Sequence, residues 1–245
     1  NNGLTDLYVL SMTANGPDNI FAATLDSGVF VFAPVIDMWY PVNSGLTDAN
    51  VQVLTINGTN IFAGTFNDGM FLSTDRGISW AAVNNGLADT EIFTLAVSGT
   101  NIFAGTLNDG IFLSADDGKS WTAVNDGLAS MSIAALAVSG TNIFAGTLND
   151  GVFLSTDTGR SWTAVNTGLT NTNVLALTVS GINIFAATLD SGVFLSTNNG
   201  TLWTAVNTGL TNINVQAFAV DGTNIFAGTA GNGIFLSTNT GGSWT

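Results

Sequence analysis

The chain has 245 residues, 46% of them hydrophobic and only 8% charged, with 17 Asp+Glu against three Lys+Arg for a net charge of −14. That apolar content excludes a disordered chain, and the negative balance argues against nucleic acid and anionic lipid surfaces, which are both held through Lys and Arg. With no Cys and no His, disulfides, thiolate metal sites, a thiol nucleophile and the commonest general base are all excluded; no apolar run reaches the roughly 18 residues of a membrane-spanning helix, so no membrane insertion is expected.

The sequence is periodic. Asn-Ile-Phe-Ala begins at Asn19, Asn60, Asn101, Asn142, Asn183 and Asn224, in steps of 41 residues, and Trp39, Trp80, Trp121, Trp162, Trp203 and Trp244 keep the same step and are all the Trp there is. Six copies of one unit fill residues 1–245 without a linker, which makes the chain one repeat domain.

The first unit is the divergent one. Asn15-Gly16-Pro17-Asp18-Asn19 carries one residue more than Asn57-Gly58-Thr59-Asn60, and the stretch from Phe32 to Trp39 lacks the Ser, Asp and Gly found in its siblings. Units two to five are near-copies: the stretch from Val97 to Gly110 recurs unchanged from Val138 to Gly151. Each reads as four short strands. In the stretch from Val174, these are residues 174–179, apolar on both faces as a buried strand is, then 183–189, 193–196 and 203–206. Asn67-Asp68-Gly69, Asn108-Asp109-Gly110, Asn149-Asp150-Gly151 and Asp190-Ser191-Gly192 join the second strand to the third, because Gly takes a positive φ without a Cβ penalty. In the sixth unit the fourth strand is cut at Thr245, which leaves residues 234–237 as an under-protected edge open to a neighbouring strand.

A four-stranded sheet that is apolar on both faces cannot bury itself, whereas six such sheets around an axis each pack on two neighbours. The predicted fold is all-β: a six-bladed β-propeller of four-stranded antiparallel blades. A monomer is expected, with edge pairing at the sixth blade left open.

Between the third and fourth strands lies a further signature. Ser73-Thr74-Asp75-Arg76-Gly77-Ile78-Ser79-Trp80, Ser114 to Trp121 (with Asp116 and Gly118) and Ser155 to Trp162 (with Asp157 and Gly159) follow Ser-x-Asp-x-Gly-x-x-Trp, and Ser196 to Trp203 and Ser237 to Trp244 follow it with Asn198 and Asn239. This resembles the Asp-box, or BNR, repeat found in the blades of sialidases, xyloglucan-hydrolysing propellers, sortilin-type receptors and photosystem-assembly propellers. The resemblance implies a structural turn in which the Asp accepts backbone N–H bonds and the Trp packs between blades. An Asx side chain stabilises a tight turn, and Asn does so nearly as well as Asp.

The inventory limits the chemistry. The resemblance to sialidases implies an arginine triad and a Tyr–Glu pair, but the only arginines are Arg76 and Arg160, both in box turns, and the only Glu is Glu91. An acid–base pair of aspartates needs unlike environments, and Asp68, Asp109 and Asp150 occupy equivalent positions in near-identical units. No catalytic residue is therefore assigned. Asp68, Asp109, Asp150 and Asp190, with the loop residues Asn43, Asn84, Asn125, Asn166 and Asn207, form a candidate ligand or cation face, of the oxygen type that suits calcium; the competing reading is that the Asp residues are turn formers. Tyr8, Tyr40 and Phe66 are among the few aromatics outside the pattern. The expected function is a non-catalytic recognition module or scaffold outside the cell, with a protein or glycan ligand; the alternatives are a carbohydrate-binding module and a glycoside hydrolase with degenerate repeats.

Overall fold

The computed structural model describes residues 1–16 and 19–245. Pro17 and Asp18, within the insertion of the first unit, lie outside them. All regular structure among the described residues is β-strand. The strands form six antiparallel sheets in chain order, and each sheet is one 41-residue unit: the fold class is all-β, with six propeller-type blades. Five blades have four strands. The sixth has three, and the place of its fourth strand is held by Thr245 alone, which exchanges two backbone hydrogen bonds with Leu236.

The chain divides into two compact units, Asn1–Ala123 and Val124–Thr245, with three blades in each. In the first, blade 1 covers residues 9–41, blade 2 residues 51–82 and blade 3 residues 92–123; in the second, blades 4, 5 and 6 cover residues 133–164, 174–205 and 215–237. Every first strand carries a β-bulge near its start, as at Val51/Val53 and Val174/Ala176. A bulge adds a residue and bends the strand, and within each unit it sets the residue before it (Val51, Ile92, Val174 and Val215) against the preceding blade.

Blades pack face to face in a repeated manner. Within each unit, the trailing face of one blade meets the leading face of the next. Phe21, Ala23 and Val29 of blade 1 pack on Val51, Leu54, Ile61, Ala63, Phe71 and Trp80 of blade 2. Phe62 and Met70 meet Ile92, Ile102, Phe112 and Trp121 of blade 3 in the same way. In the second unit, Phe144 and Val152 meet Val174, Ile184, Phe194 and Trp203, and Phe185 and Val193 meet Val215, Ile225 and Trp244. Strands buried on both faces explain why each run reads as continuously apolar rather than alternating.

Small residues set how closely the blades approach. A Cβ on Gly64 would lie 2.5 Å from Ile92 Cγ2, and one on Gly146 would lie 2.6 Å from Val174 Cγ1. The Gly on the second strand is thus a socket for the first residue of the next blade. Each box Trp ties the same interface: the Trp80 indole N–H donates to the Val42 carbonyl at 2.7 Å, and Trp203 does so to Val165.

Candidate functional site

The Ser-x-Asp-x-Gly turns are closed hydrogen-bond rings. The Ser73 hydroxyl donates to Asp75 Oδ1 at 2.8 Å and accepts the Gly77 N–H at 2.8 Å; Asp75 Oδ1 also accepts the Ser79 N–H, and Oδ2 the Ser79 hydroxyl at 2.6 Å. Asp116 and Asp157 repeat the arrangement. Asn198 and Asn239 keep the Oδ1 half of it, accepting from the Ser hydroxyl and from the N–H four residues on. The Ser161 hydroxyl, followed by the Ser161 N–H and the Ser155 hydroxyl, holds the Asp157 carboxyl down at about 2; the same contacts lower Asp75 and Asp116. Hydrogen bonds to the charged form favour that form. The turn needs two consecutive left-handed residues, and only the second is Gly: Arg76, Asp117, Thr158, Asn199 and Thr240 all sit at φ between 56° and 63°. Gly77 also lies against the Phe21 ring of the preceding blade, where a Cβ would come within 3.0 Å.

On the hairpin face the structure divides the candidate residues. Asn84 bridges its hairpin, accepting the Met70 N–H at 2.7 Å and donating to the Asp68 carbonyl at 2.8 Å, and Asn43, Asn166 and Asn207 do likewise. These amides are occupied inside their own blades. Asp68 accepts the Thr47 hydroxyl at 2.5 Å; Asp109, Asp150 and Asp190 stand at exposed hairpin tips, each in a different blade. Among the described residues no three carboxylates converge as metal ligands would.

Two classes of residue escaped the sequence reading. Buried Thr65 donates to the Gly69 carbonyl and accepts the Asp68 N–H, and Thr24, Thr106 and Thr147 act alike at their hairpins. The fifth hairpin closes with Asp190 itself at φ 57°, and there the Thr188 hydroxyl is left without a partner. The residues before each first strand form the other class. Asp48 accepts the Asn50 N–H on one oxygen and the Asn67 N–H on the other, at 2.9 and 2.7 Å, so it pins the hairpin to the incoming strand. Asp89 and Asp6 do the same, and the Asp26 and Tyr8 N–H groups hold Asp6 below the usual carboxylate range. Their recurrence in the 41-residue step, as Asp48, Asp89, Ser130, Asn171 and Asn212, was the available signal.

In the first unit a cavity of about 170 Å³ opens between blades 1 and 2. Phe21, Ile56 and Ile61 form its apolar lining, and Asn15, Asn19, Thr59 and Arg76 its polar lining. Arg76 takes the box position that Asp117, Thr158, Asn199 and Thr240 occupy in the other units. Among the aromatics outside the repeat, Phe66 packs edge-on against Phe93, while Tyr8 and Tyr40 are exposed.

The sequence matches no known protein-family profile and no curated protein. Its fold has many solved counterparts. The extracellular domain of the putative one component system BT4673 from B. thetaiotaomicron aligns over 94% of this chain and 32% of its own, at a TM-score of 0.78 and 18% identity. YCF48, in a structure bound to D1 peptide, aligns over 100% and 83% at 0.75 and 13% identity. The GH74 enzyme of Niastella koreensis aligns over 97% and 37% at 0.70 and 20% identity. The chain thus spans about a third of the length of the sensor and glycoside hydrolase chains it matches. At these identities the shared property is the fold, which both enzymes and non-enzymes use.

Proposed function

We propose that this chain is a non-catalytic recognition module or scaffold that works outside the cell. One observation carries the reading: every carboxylate with a displaced pKa is displaced downward and is hydrogen-bonded within its own turn or hairpin. A glycoside hydrolase needs a carboxyl held protonated beside an ionised one, and carboxylates committed to turns serve neither role. The peptide-bound YCF48 structure and the extracellular sensor domains support the recognition and extracellular parts. Asp75, Asp116 and Asp157 act as turn formers, and so do Asp68, Asp109, Asp150 and Asp190. Ligand contact is assigned instead to the cavity beside Arg76, where a cation, amides and a hydroxyl surround an apolar floor suited to a small anionic or carbonyl group.

The second reading, carbohydrate binding, draws on exposed Tyr8 and Tyr40 in the divergent first blade. A glycan array and a peptide array distinguish the two, and a polysaccharide-hydrolysis screen that includes xyloglucan should detect no turnover. Turnover abolished by Asp→Asn changes at the hairpin tips would overturn the proposal. Millimolar calcium added to metal-stripped protein should leave the melting temperature unchanged, since a ligand of the folded state alone would raise it.

A further inference from the structure

The cavity between blades 1 and 2 lies wholly within the first compact unit. Its floor is apolar: Phe21 and Ile61 are buried and Ile56 is half-buried. Its rim is tied together in advance. The Asn15 amide donates to the Gly58 carbonyl of blade 2 at 3.1 Å, and the Asn19 amide donates to the Asn15 carbonyl at 3.2 Å. The Thr59 hydroxyl and the exposed Arg76 guanidinium bring further donors to the opening. Asp75, next to Arg76 in the chain, spends both carboxylate oxygens on Ser73 and Ser79 inside its own turn. Charge sets this interface apart from its sibling between blades 2 and 3. There Thr100 and Ile102 stand in the places of Thr59 and Ile61, but the residue equivalent to Arg76 is Asp117. Arg76 is one of three cations in a chain of net charge −14.

We propose that this cavity binds a carboxylate carried on a short apolar stem, which rests on the assignment of ligand contact to the cavity made above. Its volume of about 170 Å³ is close to that of an apolar cavity that holds one benzene ring, so the stem is a single ring or a small branched alkyl group. A guanidinium pairs with a carboxylate through parallel N–H···O bonds, and these charge-assisted bonds are stronger than neutral ones. An inorganic anion would leave Phe21, Ile56 and Ile61 without a partner, and a hydrocarbon would leave Arg76 and Thr59 without one. A carboxylate on an apolar stem engages both sets at once. Two sources carry this chemistry: a free short-chain acid, and the carboxyl-terminal residue of a peptide with an apolar side chain.

Amide-resolved NMR titration of the whole chain tests this. 4-Methylpentanoate should shift the Thr59, Ile61 and Arg76 amides with a Kd on the order of 1 mM, and should leave Thr100, Ile102 and Asp117 in place. 4-Methylpentanamide lacks the charge and glucuronate lacks the apolar stem, so each should bind about tenfold more weakly or worse. Arg76→Thr should lose the acid by a similar factor. It should also fold, because Thr158 and Thr240 already hold this turn position at φ 63° and 59°. Acetyl-alanyl-leucine separates the sources: a tighter Kd than that of 4-methylpentanoate assigns a peptide terminus, and an equal or weaker one assigns a free acid. Three results would overturn the inference: the amide or glucuronate binding as well as the acid, Arg76→Thr binding like the parent, or no acid moving these amides at about 20 mM. The peptide and glycan arrays judge the recognition reading separately, so a hit on either with no acid bound here removes this inference alone.

Discussion

Asp157 is a half-buried carboxylate hydrogen-bonded within its own turn. Its carboxyl sits at about 2 in the folded chain against an ordinary 3.8. The stabilisation is therefore fully present above roughly pH 4 and is lost as pH falls from there through 2. The triple change Asp75→Asn, Asp116→Asn and Asp157→Asn should melt near the parent at pH 7, because Asn198 and Asn239 already keep the Oδ1 bonds. Between pH 4 and 2 it should lose less melting temperature than the parent does; equal losses would remove the carboxylates from the account. Asp157→Ala, with no acceptor at all, should melt a few degrees lower at pH 7, as a lost cap does. Gly64 is a residue of the opposite kind, selected for having no side chain. Gly64→Ala places a methyl within 3 Å of Ile92 Cγ2 and of Val53 Cγ1, and overpacking of this sort costs about 1–3 kcal/mol. Chemical denaturation should show that loss.

Among the elements, the fourth strands are the shortest and show what the sequence did and did not disclose. Their positions were legible, because the Trp step and the box turn bracket them. Their length was not: residues 203–206 were read as a strand, while the ladder holds only Thr204–Ala205. Trp203 is instead turned into the interface, and Val206 and Asn207 are spent on bonds to Val193 and its hairpin. The candidate site was legible only in part for a related reason. Asp-Gly hairpins announce themselves by turn chemistry, but Asn84 and Asn207 bridge backbone groups 14 and 16 residues away, which no local pattern records. The Arg76 cavity depends on two blades meeting, and its only trace in the sequence is one letter that differs from its siblings. Blade 6 turns this into a prediction. Its Gly233 has open space where Gly192 meets Asn207. Appending Ala-Val-Asn-Thr-Gly-Leu after Thr245, copied from residues 205–210, should supply that missing amide, raise the melting temperature and slow hydrogen exchange at the Ile234 amide. An unchanged exchange rate at Ile234 would show that the fourth strand and its Asn do not act together.

At the scale of the whole molecule, each blade owes its stability to its neighbours, since a sheet apolar on both faces has no core of its own. The faces are alike enough to be exchanged. Deleting residues 163–203, one period of 41, joins Trp162 to Thr204 and sets Phe144, Gly146 and Val152 against Val215, Ile225 and Trp244. Every turn and linker then reads as before, and the shortened protein is expected to fold, with β-type circular dichroism and a cooperative melt. An unfolded product would mean that blades 4 and 6 carry matching features not seen in their side chains. The same sameness has a cost during synthesis. A chain whose Val51, Ile92, Val174 and Val215 all suit the same kind of socket cannot tell one neighbour from the next but one by affinity. Order has to come from the tether: the short loop after each Trp delivers the adjacent blade first, at high local concentration. The correct register is thus kept by proximity along the chain, and lengthening any of these loops would let blades skip their places before it weakened a single contact.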